Sequence, residues 1–286
     1  IEKNKITENL LKNVNNKILH YKVRGISSNS KKIKKGYIFV AIKGKNFDGA
    51  EFIAEAEKLG AFLIIAEDSF NKKVFSIKKG TARQIYTLLL SSFYIKQPKQ
   101  IIGVTGTNGK TSTVEFCRQL WALAGWKAAS MGTLGTKTET AISKSVYKNK
   151  EENLTTFEPS DLYKKLNFLV EEKISHLALE ASSHGIDQYR LDGVNFSGAV
   201  FTNLSHDHLD YHGNTANYFS TKKRLFTKVL KNNSAISINI DDIYGKKLYE
   251  ELKNTNHFII TFGESSEADI RIKSAIQNKQ SIELIL

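Results

Sequence analysis

The residues with the clearest chemistry lie in a glycine-rich stretch near the middle of the chain, Gly106-Thr-Asn-Gly-Lys-Thr111. The Lys110 ammonium can neutralise phosphate charge, and the Thr111 hydroxyl can reach a magnesium ion. An apolar run precedes the stretch, and a helix-compatible segment, 113–124, follows it. Backbone N–H groups at such a strand–loop–helix junction cradle phosphates. The longer phosphate-loop pattern has glycine at the position of Val104, and the short form present here can also be an ordinary glycine turn.

A second candidate is Glu180, which ends the apolar run in His176-Leu-Ala-Leu-Glu-Ala-Ser-Ser-His-Gly185. A buried carboxylate without a partner is costly, so this one requires a cation or hydrogen-bond donors. Magnesium suits the position, because it binds few carboxylates and keeps its other coordination positions for phosphate and water.

The third candidate is Thr202-Asn-Leu-Ser-His-Asp-His-Leu-Asp-Tyr-His-Gly213, a polar segment dense in histidine and aspartate. Such a cluster can bind zinc. The segment lacks a helical His-x-x-x-His pair with glutamate, and the chain has no cysteine pair. A polar loop whose aspartates cap helices is the alternative that involves no ligand.

The three candidates each follow an apolar run, and the pattern of the whole chain predicts the elements that position them. The predicted strands are 36–44, 61–66, 101–105, 176–180, 198–202, 235–239 and 258–262, and the predicted helices are 50–59, 81–94, 113–124, 160–172, 217–230 and 242–252. This alternation is typical of α/β proteins. We expect a small α/β domain over 1–97, then a doubly wound, mainly parallel sheet over 98–286. Ligands bind beyond the carboxyl ends of strands in such sheets, where the candidates lie.

Composition restricts the function classes. The net charge of +13 comes from lysines scattered along the whole chain, which indicates attraction of a polyanionic small molecule rather than nucleic-acid binding. The single cysteine, Cys117, cannot form an intrachain disulfide, which favours the cytoplasm. No apolar run approaches the roughly 18–20 residues that span a membrane. The chain begins at Ile1 and ends on an apolar β-like run, so we expect a truncated sequence.

The three segments, in this order, resemble the Mur ligases of peptidoglycan synthesis, and among them the ligases that add the third stem-peptide residue. Residues 28–49 resemble the family's uridine-binding region. The resemblance implies that ATP phosphorylates the D-Glu carboxylate of UDP-MurNAc-L-Ala-D-Glu and that the amine of meso-diaminopimelate or L-lysine then displaces phosphate. It implies a UDP-substrate-binding domain over 1–97, a P-loop ATPase domain over 98–286, and a cytoplasmic monomer without a nucleic-acid or membrane partner.

The resemblance also assigns roles to individual residues. The ATP-binding set is Gly106, Thr107, Asn108, Gly109, Lys110, Thr111, Ser112 and Asn203. The Mg²⁺ ligands are Thr111, Glu180, His208 and a CO2-derived carbamate on Lys222, and the catalytic set is Lys110, Lys222 and His208. The acceptor-binding set is Ser28, Ser30, Lys45, Asn46, Phe47, Leu154, Thr155, Thr156, Ser182, Gln188 and Arg190. A free Lys222 ammonium would repel magnesium, whereas its CO2 adduct is an anionic oxygen ligand. Spacing alone would make Lys222 a solvated surface lysine.

Some features depart from the family's pattern. Asn29-Ser30-Lys31 stands where the family has Asp-Ser-Arg, and Phe157 stands where proline is common. We expect the family's C-terminal domain, which carries the amino-acid site, to be absent from this sequence, and we therefore expect this chain to bind ATP and acceptor but to turn over poorly. The identity of the added amino acid stays open. Two alternatives also stay open: another member of the superfamily, such as a folylpolyglutamate synthase, and a non-catalytic nucleotide-binding module.

Overall fold

The computed structural model describes residues 22–44, 47–69, 74–139, 154–278 and 281–286. The chain divides into two compact units. The first contains the chain up to Lys96 together with Glu158–Asn167 and Gln188–Gly193, and the second contains Gln97–Phe157, Phe168–Asp187 and the chain from Val194 onward. Strands and helices alternate in both units, which confirms the predicted α/β class.

The first unit is built on a four-stranded parallel sheet. Its strands, in hydrogen-bonded order, are β1 (Gly25–Ser27), β2 (Tyr37–Val40), β3 (Leu63–Glu67) and β4 (Val74–Ile77). Phe39, Val40 and Ile65 are fully buried. Near-continuous apolar strands of this kind are expected where a parallel sheet is covered on both faces.

Helical segments of the first unit differ slightly from the predicted ones. They are the 3₁₀ turns Ser30–Lys32 and Gly49–Phe52 and the helices α1 (Ile53–Lys58) and α2 (Ala82–Phe93). The predicted helix 50–59 begins as a 3₁₀ turn because the Asp48 carboxylate accepts a hydrogen bond from the Ala50 N–H at 2.9 Å and caps a tighter turn.

The second unit contains an eight-stranded sheet in the order β12–β11–β10–β9–β5–β8–β6–β7. The strands are β5 (Gln100–Thr105), β6 (Ala128–Gly132), β7 (Gly135–Thr138), β8 (His176–Glu180), β9 (Gly198–Phe201), β10 (Ala235–Asn239), β11 (Phe258–Gly263) and β12 (Ile270–Arg271). Only β7 runs antiparallel to its neighbour. Later strands add on both sides of β5, so the sheet is doubly wound as predicted.

The helices of the second unit lie between these strands. They are α3 (Lys110–Leu123), α4 (Pro159–Glu171, which begins in the first unit), α5 (Ser183–Asp187), α6 (Leu209–His212), α7 (Thr215–Arg224), a π-helical turn (Leu225–Val229) and α8 (Ile243–Leu252). A small antiparallel hairpin, β13 (Ser274–Gln277) and β14 (Ile282–Ile285), follows the sheet. Among the described residues, no helix combines the length and apolar character needed to cross a membrane.

The sequence predicts the central strands of both sheets, but it misses β1 and β4 of the four-stranded sheet and β6 and β7 of the eight-stranded sheet. The predicted strands 176–180 and 235–239 coincide with β8 and β10. The strand predicted over 36–44 ends at Val40. The edge strands β6 and β7 carry small and polar residues, which lack the β-branched or aromatic pattern of a strand, and the sequence analysis missed them.

Candidate active site

The glycine-rich stretch forms the loop between β5 and α3. The helix α3 begins at Lys110, three residues before the predicted start at residue 113, and Gly109 is its N-cap. Lys110, Thr111 and Ser112 therefore lie in the first turn, where backbone N–H groups have no partner within the helix. The loop thus meets the positive end of a 14-residue helix, which is the arrangement that binds phosphate.

Gly106 is required by the way the loop meets β9. Its φ of +152° is rare for residues with a side chain, and a Cβ at this position would overlap the Thr202 hydroxyl. The absence of a side chain at Gly106 lets the loop lie directly against the segment that follows β9.

That segment fixes the loop through Asn108. The Asn203 Oδ1 accepts a hydrogen bond from the Asn108 N–H at 2.9 Å, and the Asn203 Nδ2 donates to the Asn108 carbonyl at 3.2 Å. The Thr202 hydroxyl donates to the same carbonyl at 2.7 Å. In this structure both polar atoms of the Asn203 side chain hold the loop.

Two further contacts connect the loop to the elements after β9. Thr107 Oγ1 accepts a hydrogen bond from the Ser205 N–H at 3.0 Å and lies 3.3 Å from the Tyr218 hydroxyl. The Asp242 carboxylate caps α8 and also accepts from the Leu204 N–H at 3.0 Å. The glycine-rich loop and the helix α8 are therefore bonded to the short segment after β9, and α7 contacts the same loop through Tyr218.

Two lysines meet at one carbonyl of this loop. Lys110 Nζ donates to the carbonyls of Gly106 (2.9 Å) and Thr107 (2.7 Å), and Lys222 Nζ donates to the Gly106 carbonyl (2.8 Å). Lys222 is only 1% exposed, so the expectation from spacing of a solvated surface lysine is wrong. Burial, reinforced by the nearby Lys110 ammonium, lowers the pKa of Lys222 to about 7. Burial also lowers the pKa of Lys110, against the attraction of Glu180 and Asp207.

One aromatic ring lies against the Lys222 ammonium, and further rings pack near that ring. Its Nζ lies 4.4 Å from the centre of the Tyr218 ring. The rings of His212 and His208 lie 5.0 Å and 6.3 Å from that of Tyr218, and His184 lies 5.0 Å from His208. A cation is stabilised over such a ring, but the surroundings contain little water to solvate it.

Glu180 lies at the carboxyl end of β8 and is 1% exposed. Its carboxylate accepts hydrogen bonds from the N–H and the hydroxyl of Thr133. Its carbonyl accepts from the Thr156 hydroxyl at 2.9 Å, and that hydroxyl in turn accepts from the N–H and Oγ of Ser182. The predicted acceptor-binding residues Thr156 and Ser182 are thus brought together with the predicted metal ligand Glu180.

The four predicted metal ligands differ in how well they suit a cation. Among the described residues, no Lys, Arg or His nitrogen lies within 4.0 Å of the buried Glu180 carboxylate, although Lys110 is near enough to attract it, so the carboxylate could accept a cation. Thr111 offers a second oxygen beside the loop. His208 has an exposed side chain and a left-handed backbone (φ +51°), and its imidazole nitrogen is a weaker ligand for Mg²⁺ than oxygen is. The neutral amine of Lys222 has no oxygen to offer Mg²⁺, so Lys222 would fit a magnesium site only if a CO2 adduct supplied one.

The zinc hypothesis receives no support from the geometry. Across the part of the chain that the structure describes, no three His, Cys, Asp or Glu side chains are placed to hold a metal ion. The Asp207 carboxylate instead accepts the His208 N–H at 2.9 Å, and Tyr211 donates to Asp187 at 2.7 Å.

The other predicted acceptor-binding residues are divided between the two units. Arg190 is paired with Glu158 at 2.7 Å and donates from Nε and Nη2 to Gln188 Oε1. Ser30 is buried, Phe47 is 70% exposed, and Ser28 contacts the Tyr86 hydroxyl. In the second unit, Leu154 is exposed, and Thr155 Oγ1 lies 3.1 Å from Thr133 Oγ1. Lys45 and Asn46 lie outside the described residues.

Sequence reasoning missed Thr133, Thr202 and Tyr218, which contact the predicted site directly. Thr202 begins the polar segment 202–213, and Tyr218 lies one helical turn before Lys222, so proximity in sequence to predicted site residues was the available signal. Thr133 follows the missed strand β6, and no signal was available without that strand.

Two family models match the chain. The model described as Mur ligase middle domain matches residues 104–286, which is more than half of the chain. The model described as Mur ligase family, catalytic domain matches residues 22–91.

Individual relatives agree with these matches. A protein of Rhizobium meliloti named UDP-N-acetylmuramoyl-L-alanyl-D-glutamate--2,6-diaminopimelate ligase is 38% identical over 268 residues, which cover 92% of this chain and 53% of that protein. A solved structure of a ligase with that name has a TM-score of 0.75 at 28% identity, covering 91% of this chain and 52% of its own. The Thermotoga maritima MurF ligase, solved with ADP, shares the fold, with a TM-score of 0.54 at 21% identity. The match covers 92% of this chain and 55% of that chain. The chain spans about half the length of the curated relatives it matches.

Proposed function

This chain belongs to the Mur ligase family, and from that membership we propose that it binds ATP and UDP-MurNAc-L-Ala-D-Glu in a ligase that adds the third amino acid of the peptidoglycan stem peptide. The relatives' name supports meso-diaminopimelate as the amino acid. The proposed organisation is a UDP-substrate-binding domain over 1–97 and an ATP-binding domain over 98–286.

The observation that carries the proposal is the pair of lysines on the Gly106 carbonyl. One lysine at a phosphate loop is sufficient to hold a nucleotide. A second, buried lysine beside it is costly, because two like charges face each other with little solvent. Perturbed groups of this kind cluster at catalytic sites, which favours an enzyme over a non-catalytic nucleotide-binding module.

In the proposed reaction, the D-Glu carboxylate attacks the γ-phosphorus of ATP and ADP leaves, after which the incoming amine displaces phosphate and forms the amide. Carboxylate and phosphate are both anions, so their approach requires fixed positive charge and alignment. Lys110 and the N–H groups in the first turn of α3 would supply both. Mg²⁺, when bound, neutralises further phosphate charge.

Lys222 is the proposed carbamate. Only a neutral amine adds CO2, and burial that lowers the pKa of Lys222 to about 7 makes this form available near neutral pH. The adduct would replace an ammonium facing Lys110 with an anion. It would also give an oxygen ligand that could hold Mg²⁺ together with Glu180 and His208.

Acceptor-binding residues are proposed in each unit. In the first unit these are Ser28, Ser30, Lys45, Asn46, Phe47, Gln188 and Arg190, and in the second unit Leu154, Thr155, Thr156 and Ser182. The planar guanidinium of Arg190 suits a carboxylate or a pyrophosphate, since it can form two parallel hydrogen bonds. The cytoplasm is the proposed location, because a single cysteine and ATP-dependent chemistry are typical of that compartment.

Calorimetric titration with UDP-MurNAc-L-Ala-D-Glu tests the acceptor class. We expect saturable one-to-one binding, and about tenfold weaker binding of UDP-MurNAc-L-Ala, which lacks the D-Glu carboxylates and their charge-assisted hydrogen bonds. Binding of a folyl substrate in place of the UDP-linked one would favour another superfamily member. Binding of ATP with neither acceptor would favour a non-catalytic nucleotide-binding module.

A further inference from the structure

Glu180 is held in a single orientation by one residue. The Thr133 N–H donates to Glu180 Oε1 at 2.9 Å, and the Thr133 hydroxyl donates to Glu180 Oε2 at 3.2 Å. The terminal torsion of a glutamate side chain has a broad energy profile, so burial alone does not fix the plane of the carboxylate. Donors from one residue to both oxygens do fix it.

The turn between β6 and β7 is shaped to bring Thr133 to this carboxylate. Gly132 is the last residue of β6, and a Cβ there would overlap Glu180 Oε1. The Glu180 carboxylate therefore lies directly against the backbone of Gly132, and the next residue, Thr133, supplies the two donors. A side chain at position 132 would push Glu180 away from Thr133.

The Thr133 hydroxyl also connects Glu180 to a predicted acceptor-binding residue. It lies 3.1 Å from the Thr155 hydroxyl. A hydroxyl has one hydrogen, so if Thr133 donates to Glu180 it accepts from Thr155. The resulting chain runs in one direction, from Thr155 through Thr133 to the Glu180 carboxylate.

Each carboxylate oxygen has about two lone-pair sites, and Thr133 uses only one on each oxygen. The other sites stay available to a cation, with the carboxylate plane already set. Outer residues that orient metal ligands in this way typically affect metal affinity by about 10- to 100-fold.

We propose that Thr133 is a positioning residue that orients the Glu180 carboxylate as a ligand of a divalent cation. The proposal rests on the proposed function, which makes Glu180 such a ligand. Thr133 itself contacts neither nucleotide nor acceptor in this role.

The test is the affinity for Mn²⁺ in the presence of saturating ADP, measured from the electron paramagnetic resonance signal of the free ion. Thr133→Val removes the hydroxyl and keeps the N–H, and we expect it to weaken Mn²⁺ binding about tenfold or more. Thr133→Ser restores the hydroxyl and should return the affinity to near that of the unaltered protein. Thr136→Val is the matched control, because the Thr136 hydroxyl is buried and has no hydrogen-bond partner among the described residues.

The outcomes separate this inference from the proposed function. Glu180→Gln should abolish the same Mn²⁺ site, and thermal unfolding curves should show that every variant is folded. If Glu180→Gln weakens Mn²⁺ binding but Thr133→Val does not, the positioning role is wrong. If neither the unaltered protein nor any variant has a Glu180-dependent Mn²⁺ site, the proposed metal role of Glu180 is wrong as well.

Discussion

Replacement of Lys222 by alanine is expected to reduce phosphorylation of the acceptor carboxylate by about 100- to 1,000-fold, the usual cost of removing a group that stabilises charge in the transition state. The side chain is 1% exposed and contacts the Gly106 carbonyl and the Tyr218 ring. If it carries a carbamate, its loss removes an anionic oxygen ligand. The measurement is ADP formation from ATP that depends on UDP-MurNAc-L-Ala-D-Glu.

Three further experiments make this prediction specific to the carbamate. Lys223→Ala alters the adjacent residue, whose ammonium is paired with Glu251 at 2.7 Å, and should leave ADP formation nearly unchanged. Acetate or propionate should partly restore Lys222→Ala, since a small carboxylate can occupy the vacated space. Carbon-13 NMR after exposure to labelled CO2 should show a carbamate signal in the unaltered protein and none in Lys222→Arg. Full activity of Lys222→Ala without any added carboxylate would contradict the role.

Replacement of Lys110 by methionine is expected to weaken ATP binding by about 10- to 100-fold, the cost of losing hydrogen bonds from a charged donor. In the described structure the Lys110 ammonium contacts the carbonyls of Gly106 and Thr107, and under the proposed function it turns to the phosphates when ATP binds. Methionine keeps the length and apolar character of the side chain, so the fold should persist. Titration calorimetry with Mg-ATP measures the change.

The control for Lys110→Met is Lys137→Met, an exposed lysine on β7. It removes one positive charge from the same unit, so a general electrostatic effect of the +13 chain would weaken ATP binding in both variants. Equal affinities of the two variants would show that Lys110 has no specific role at the phosphates.

The parts of the site that the sequence predicts are those carried by strand ends. Lys110 and Glu180 each follow a short apolar run, and runs of this kind become neighbouring parallel strands whose carboxyl ends meet at one edge. Strands β5 and β8 pair directly. The periodicity of the chain predicts the two strands, and their direct pairing is seen in the structure.

The parts that the sequence misses depend on contacts between distant segments. Burial of Lys222 requires the packing of α7 against the phosphate loop, which spacing within the chain does not reveal. The Thr133 contacts require β6, a strand of small residues that tertiary pairing creates. Asn203 was predicted to bind ATP, and that stays a prediction; the hydrogen bonds of its amide to the backbone of Asn108 are a detail that only coordinates provide.

The central claim is that this family member activates a carboxylate of its UDP-linked acceptor with ATP. The most direct test uses UDP-MurNAc-L-Ala-D-Glu labelled with oxygen-18 in the side-chain carboxylate of D-Glu. Attack of that carboxylate on ATP makes one of its oxygens the bridging atom, which leaves with phosphate when the amine of meso-diaminopimelate adds. Because we expect this chain to turn over slowly, the phosphate is collected over a long incubation, and its phosphorus-31 NMR spectrum should show one labelled oxygen for each phosphate formed from fully labelled acceptor. Release of unlabelled phosphate, which marks simple hydrolysis of ATP by water, would contradict the account.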